Sequence, residues 1–320
     1  MNEFKLSLLK SLRYIYKKVH SDADNDGRNW RMFSNKEYSN ELIYNYLTSD
    51  KPCMIARLGS TEMLCLVNYI GVKQHNTKWL DFIKGKSFMW WWEPTTINQM
   101  RNWSGFFPAQ IDKLEEFSEL MINDISEVDI LGSWLTQEKY FNNLLSNAKR
   151  VVLEDLEPFF STKPWTQALE GKKVLVVHPF AETIERQYQR RELLFDNHLL
   201  PQFELKTIRA VQSLAGENTN FKDWFEALTW MKSQMDELDY DVCIIGCGAY
   251  GFPLAAHVKR MGKKAVHLGG ATQLLFGIKG KRWEEFIVWP YTNLFNEHWV
   301  RPGERETPKN ANIVEGACYW

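Results

Sequence analysis

Residues 237–283 read ELDYDVCIIGCGAYGFPLAAHVKRMGKKAVHLGGATQLLFGIKGKRW. The apolar run 242–245 meets a glycine-rich turn, Gly246-Cys247-Gly248-Ala249-Tyr250-Gly251. The pattern predicts a helix over 253–261, stopped by Gly262, and a second strand over 265–268 that runs into Gly269-Gly270. Such a strand–turn–helix–strand unit builds a parallel sheet. Its glycines let backbone N–H groups approach a bound group, and the following helix N-terminus favours negative charge there. The unit therefore points to a phosphorylated ligand. The alternative reading is a tight turn that only packs helix on strand.

A nicotinamide dinucleotide fits this turn poorly. That fingerprint needs an acidic residue about 20 positions on, to bind the ribose. Here the next strand ends His267-Leu268-Gly269-Gly270, without a carboxylate. The turn also lies late in the chain. No NAD is expected.

Ten further segments complete the pattern. Strands are predicted over 53–57, 128–131, 151–153, 173–178 and 203–208, and helices over 35–48, 63–69, 110–125, 181–194 and 220–238. Strands alternating with helices predict an α/β, Rossmann-like fold with a mainly parallel sheet flanked by helices. Residues 35–320 read as one α/β catalytic domain, with halves 35–170 and 171–320. Residues 1–34 read as a basic helical extension. In it Phe4, Leu8, Leu12 (or Leu9) and Ile15 line one side, away from Lys10, Arg13, Lys17 and Lys18. A basic amphipathic helix rests on an anionic membrane surface or docks on its own domain or a partner subunit. Residues 21–28 read as a polar turn.

Composition narrows the classes. The 320 residues are 44% apolar and 25% charged, as in globular proteins, and the net charge of −1 gives no field that would favour nucleic acid. The five cysteines are scattered, without zinc-site spacing, and read as buried reduced thiols. No apolar run approaches the ~20 residues of a membrane span, and Lys5, Lys10 and Arg13 interrupt the N-terminus against a signal peptide.

In such sheets ligands bind beyond the carboxyl ends of the strands. Five ends carry chemistry. Arg57-Leu58-Gly59-Ser60-Thr61-Glu62 combines a cation for a diphosphate, two hydroxyls and a carboxylate able to act as base or metal ligand. Glu154-Asp155-Leu156-Glu157 clusters carboxylates, a pattern that raises a pKa or invites a divalent cation. His178 ends the strand VLVVH and can donate to phosphate or act as a base. Gly246–Gly251 and His267–Gly270 close the set. Residues 79–107 are tryptophan-rich, and Trp90-Trp91-Trp92 cannot all face one core, so one of them is expected in a cleft.

Taken in order, these motifs resemble the GT-D-type glycosyltransferases. That family opens on a strand ending Arg-x-Gly-Asp-Gly-Glu, where this chain has Arg57-Leu58-Gly59-Ser60-Thr61-Glu62. It has a mid-chain Gly-Lys-Lys strand, here Gly171-Lys172-Lys173-Val174, and closes on a glycine turn, a helix and a Gly-His type strand end. The resemblance covers roughly residues 40–285, and the closing block also looks like that of proteins from bacterial surface-polysaccharide gene clusters. It implies a GT-D-like fold and transfer of a sugar from a nucleotide-diphosphate donor to a growing, lipid-linked glycan. Of the family's acidic motif only Glu62 carries over; an inverting transfer would need a base, for which Glu62 and Asp155 are the candidates. The implied donor-binding residues are Arg57, Gly59, Ser60, Thr61, His178, Gly246, Gly248, Tyr250, Gly251, His267, Gly269 and Gly270. Ser60 replaces the family's metal-binding Asp, so Mn or Mg would rest on Glu62 with Glu154 or Asp155 supplying the missing carboxylate, or Arg57 and the Gly246 helix terminus would replace the cation. The implied setting is cytoplasmic, peripheral on the inner membrane face, with an oligomer allowed. Another transferase of the same pathway, for phospho- or pyruvyl groups, and a non-catalytic nucleotide-binding scaffold are the alternatives.

Overall fold

A computed structural model of the chain describes residues 3–20, 33–197, 199–213, 219–287, 289–309, 311–313 and 316–320. The strands are β1 Cys53–Ala56, β2 Ile130–Ser133, β3 Lys149–Val152, β4 Lys173–His178, β5 Glu204–Arg209, β6 Val242–Ile245 and β7 Lys264–His267. They form one sheet in the order β3-β2-β1-β7-β6-β4-β5, with every neighbouring pair parallel. Each segment that the sequence marks as a strand is one. The two halves of the chain share this sheet, because β7 inserts between β6 and β1 and pairs Ile55 with Val266.

The helices are α1 Glu3–Val19, α2 Lys36–Thr48, α3 Ser60–Gln74, α4 Trp79–Ile83, α5 Pro94–Asn102, α6 Ile111–Ile125, α7 Ala181–Tyr188, α8 Trp224–Asp236, α9 Gly251–Arg260 and α10 Thr272–Leu275. Local chemistry sets several boundaries. Asn35 accepts the Tyr38 N–H at the start of α2, and Asp223 accepts the Glu226 N–H at the start of α8. Gly262, at φ +79°, ends α9 in the left-handed conformation that glycine adopts without strain.

Successive strand residues alternate between two cores. Cys53, Ile55, Val174, Val176, Val242, Ile244 and Val266 face one side, with Ile43 and Leu47 of α2, Ile184 of α7 and the segment after α10. Met54, Ala56, Leu175, Val177, Cys243, Ile245 and Ala265 face the other, with residues of α3, α6, α8 and α9. Burial on both faces is why the central strands read as unbroken apolar runs. The five cysteines are free and buried, and burial pushes the Cys53 and Cys65 thiols up to about 12.

Two expectations change. The helix expected over 181–194 stops at Tyr188, and a 3-10 turn, Arg191–Leu193, follows. Gln187 donates to the carbonyls of Gly277 and His298, which ties the end of α7 to the C-terminal segment rather than to a further helical turn. α1 docks on α4 through Leu9, not through its Phe4–Leu8–Ile15 face, with Lys10 paired to Glu93 at 2.7 Å and Arg13 donating to the Ser87 carbonyl. The turn expected over 21–28 lies outside the described residues.

β1 sends the chain outward to β2 and β3, whereas β4 sends it to β5 at the opposite edge. The carboxyl ends of β1, β7, β6 and β4 are thereby left flanking a crevice, the position at which open parallel sheets bind ligands.

Candidate functional site

A cavity of about 170 Å³ lies in that crevice. Of the residues expected at a site, Arg57, Gly59, Ser60, Thr61, Glu62, His178, Gly246, Gly248, Tyr250, His267, Gly269 and Gly270 line it. Four strand ends thus converge as the topology requires. Gly251, Glu154 and Asp155 do not line it.

Arg57 follows β1 directly. Its guanidinium lies 5.0 Å from the centre of the Trp134 ring, and the Trp134 indole N–H donates to the Leu58 carbonyl at 2.9 Å. Glu138, fully buried, accepts from Ser133 Oγ and from the N–H groups of Trp134 and Leu135, which fixes the turn that presents Trp134. Among the described residues Arg57 makes one hydrogen bond, to the Leu58 carbonyl at 3.3 Å, and its buried Nε has no partner. Burial draws the guanidinium pKa below its ordinary value, while Tyr319 and Glu62 pull it back up. An enclosed cation with an orphaned donor and, among the described residues, no carboxylate in salt-bridge contact is a place for an anion.

Glu62 sits in the first turn of α3, 9% exposed. Its carboxylate folds back over Gly59, the N-cap residue, whose side-chain position it occupies. Neither Ser60 nor Thr61 caps the helix.

His178 and His267 are both buried, and burial draws both pKa values down to about 3, Arg57 adding to the effect on His267. Both rings are therefore neutral, but with opposite tautomers. His178 Nδ1 accepts the Phe180 N–H at 3.0 Å, which leaves the proton on Nε2. His267 Nδ1 faces the Ile245 carbonyl at 3.2 Å; a carbonyl only accepts, so Nδ1 carries the proton and Nε2 keeps its lone pair. One imidazole offers a donor and the other an acceptor.

The glycine turn has a different purpose at each position. A Cβ on Gly246 would meet the Gly269 carbonyl and Thr272, and a Cβ on Gly251 would overlap the His267 ring. These two glycines allow close packing around His267. Gly248, at φ +56°, lines the cavity next to the Ser104 carbonyl; the Tyr250 and Gly251 N–H groups that follow are taken by the Cys247 and Gly248 carbonyls, so the Gly248 and Ala249 end of the turn is the part that faces a ligand.

Asp155 belongs elsewhere. Its oxygens accept from Ser34 Oγ at 2.6 Å, the Asn35 N–H at 2.8 Å and Ser39 Oγ at 3.3 Å, so it anchors the start of α2. Glu154 is exposed. Among the described residues no group of three or more His, Cys, Asp or Glu side chains comes together as a metal site. Among the described residues Glu62 is the single Asp or Glu side chain on the cavity wall, beside a guanidinium, and this donor set does not fit Mn or Mg, which take several oxygen ligands.

Sequence reasoning missed several wall residues. Trp90 and Trp91 pack edge-to-face around Phe82, and Trp92 lies against the α3 core; the tryptophans at the cavity are instead Trp103, Trp134 and Trp320. Trp134 follows a strand end, and the strand-end rule was sufficient to find it. Gln273 donates to the carbonyls of Ile278, Lys279 and Tyr319 and leaves a buried Oε1 without a partner at the wall. Arg282 lies over the Tyr319 ring at 4.8 Å, and Tyr319 covers Gly270. Glu157 is a desolvated carboxylate behind this layer, pushed up to about 7 by burial while accepting from Tyr291 at 2.7 Å.

Beyond Val211 and Gln212, which line both spaces, an open groove of about 720 Å³ continues along Arg209, Phe221, Trp230, Arg305 and Lys309. Comparison with protein-family models, curated proteins and solved structures finds no match to this chain.

Proposed function

We propose that the protein is a glycosyltransferase of GT-D-like type, transferring a sugar from a nucleotide-diphosphate donor to a lipid-linked bacterial surface glycan. The observation that carries the reading is Arg57, an enclosed guanidinium stacked on Trp134 with an unpartnered Nε at the meeting point of four strand ends.

Each step has a residue. Glycosyl transfer requires that the departing diphosphate be stabilised by fixed donors. Arg57, the His178 Nε2–H and the N–H groups at Gly248 supply them without a metal. The sugar hydroxyls meet acceptors in the His267 Nε2 lone pair and Gln273 Oε1. In an inverting reaction Glu62 takes the proton of the attacking hydroxyl as that oxygen bonds to the anomeric carbon and the diphosphate departs with the bonding pair. A cavity of about 170 Å³ is smaller than the ~300–1,000 Å³ of sites that enclose whole ligands. It holds the sugar and phosphates, and the adjoining groove takes the remainder of the substrates.

The test is release of nucleoside diphosphate from a panel of nucleotide sugars, with wild type and Glu62→Gln compared. The reading expects release from one donor and its loss in the variant with folding retained. Phosphate or pyruvate transfer in place of sugar transfer would support the other transferase reading, and binding without turnover in either protein would support a scaffold.

A further inference from the structure

The outward face of α1 has no role in the cavity. Leu8, Leu12, Ile15 and Val19 are 50%, 40%, 55% and 70% exposed. At 3.6 residues per turn they fall within an arc of about 60°. The opposite face is the docked one: Leu9 is buried, Leu6, Arg13 and Tyr16 are half-buried, and the Arg13 guanidinium lies 4.4 Å from the Phe82 ring centre. α4, on which α1 packs, exposes Trp79 and Leu80 as well.

We infer that this stripe is a docking surface for an anionic lipid membrane, independently of which reaction the cavity performs. Charge selects the occupant. Residues 3–19 carry Lys5, Lys10, Arg13, Lys17 and Lys18 against the single acid Glu3. Lys5 lies about 20° beyond one rim of the stripe and Lys18 about 60° beyond the other. A narrow apolar band with lysines on both rims suits a helix lying in the headgroup plane, apolar side chains inserted and ammonium groups at the phosphates. A second copy of the chain fits less well, since symmetric pairing would set these cations against one another. No helix among the described residues is long and apolar enough to cross a membrane, so the contact is interfacial.

The experiment is co-sedimentation of the full chain with vesicles of equimolar phosphatidylglycerol and phosphatidylcholine, and with phosphatidylcholine alone. The wild type partitions onto the anionic vesicles and much less onto the neutral ones. Leu8→Asp with Ile15→Asp weakens partitioning by about a hundredfold, and Lys5→Glu with Lys18→Glu removes the preference for anionic lipid. All these side chains are exposed, so the melting temperature of each variant stays at the wild-type value. Wild type that stays in the supernatant with both vesicle types overturns the proposal. So does an acidic double variant that binds as wild type, or a dimer in solution that the same substitutions dissociate.

Discussion

The carboxylate of Glu62 lies where a side chain on Gly59 would begin, so the two residues act as one device. Gly59 has φ −77° and ψ 147°, a backbone conformation open to any residue. Its requirement for glycine is therefore the space that Glu62 fills. Gly59→Ala should leave the fold intact, displace the carboxylate and lower sugar transfer by about a hundredfold, the usual cost of a displacement of about an ångström at a reacting group. In a Glu62→Gln background the same substitution should add little, since both changes disable one group. Turnover of the two single variants and the double variant measures this coupling, and fully additive losses would separate the two residues.

Arg57 predicts opposite effects on binding and stability. Arg57→Met should weaken inorganic pyrophosphate binding by about tenfold to a hundredfold, the loss of one or more charge-assisted hydrogen bonds. The same change should leave the melting temperature of the ligand-free protein unchanged or raised, because an enclosed guanidinium whose Nε has no partner costs desolvation. Calorimetric titration and thermal melting check the two halves. A strongly destabilised variant would mean that Arg57 is a structural residue.

The two neutral histidines make stability depend on acidity. His178 and His267 are drawn from 6.5 to about 3 on folding. Between those values the unfolded chain binds protons that the folded chain refuses. Their contribution is complete above 6.5 and falls with decreasing pH, by about 1.4 kcal/mol per pH unit for each histidine. Glu157 has the opposite sign: raised from 4.5 to about 7, it is protonated only in the folded chain across that window, and its contribution is lost as pH rises through it. Urea unfolding between pH 4.5 and 6.5 should therefore show a flatter slope in His178→Gln and a steeper one in Glu157→Gln. Unchanged slopes would contradict the burial assigned to these groups.

Asp155→Ala separates support from chemistry. It removes the acceptor of three donors around the start of α2 and should destabilise the protein by about 2 kcal/mol. At a temperature where the variant remains folded, its rate of sugar transfer should match wild type. A selective loss of turnover at unchanged stability would return Asp155 to the reaction.

The strands, their order along the chain and four of the converging ends were legible because each rests on local signals. Apolar runs gave β4 and β6, and turn glycines gave Gly246 and Gly269. What escaped depends on distant parts of the chain. Gly246 and Gly251 look like ligand-approach glycines in sequence, yet Thr272 and the His267 ring fill the space beside them. Asp155 looks like a carboxylate at a strand end, but Ser34, Asn35 and Ser39, more than a hundred residues earlier, take its oxygens. Arg282, Tyr319 and Trp320 reach the cavity through an aperiodic segment, which carries no signal of where it packs. The outward turn of α1 was equally hidden, since an amphipathic pattern does not say which face the domain takes.

The most direct test of the central claim is the melting temperature of the wild-type protein against a panel of nucleoside diphosphates, repeated with Arg57→Met. A bound diphosphate at a hundred times its Kd stabilises by about 2.7 kcal/mol. The account predicts a rise of several degrees with one nucleoside diphosphate, present without added Mn or Mg and abolished in Arg57→Met. A panel that leaves the wild type unmoved, or a shift that survives in Arg57→Met, would contradict it.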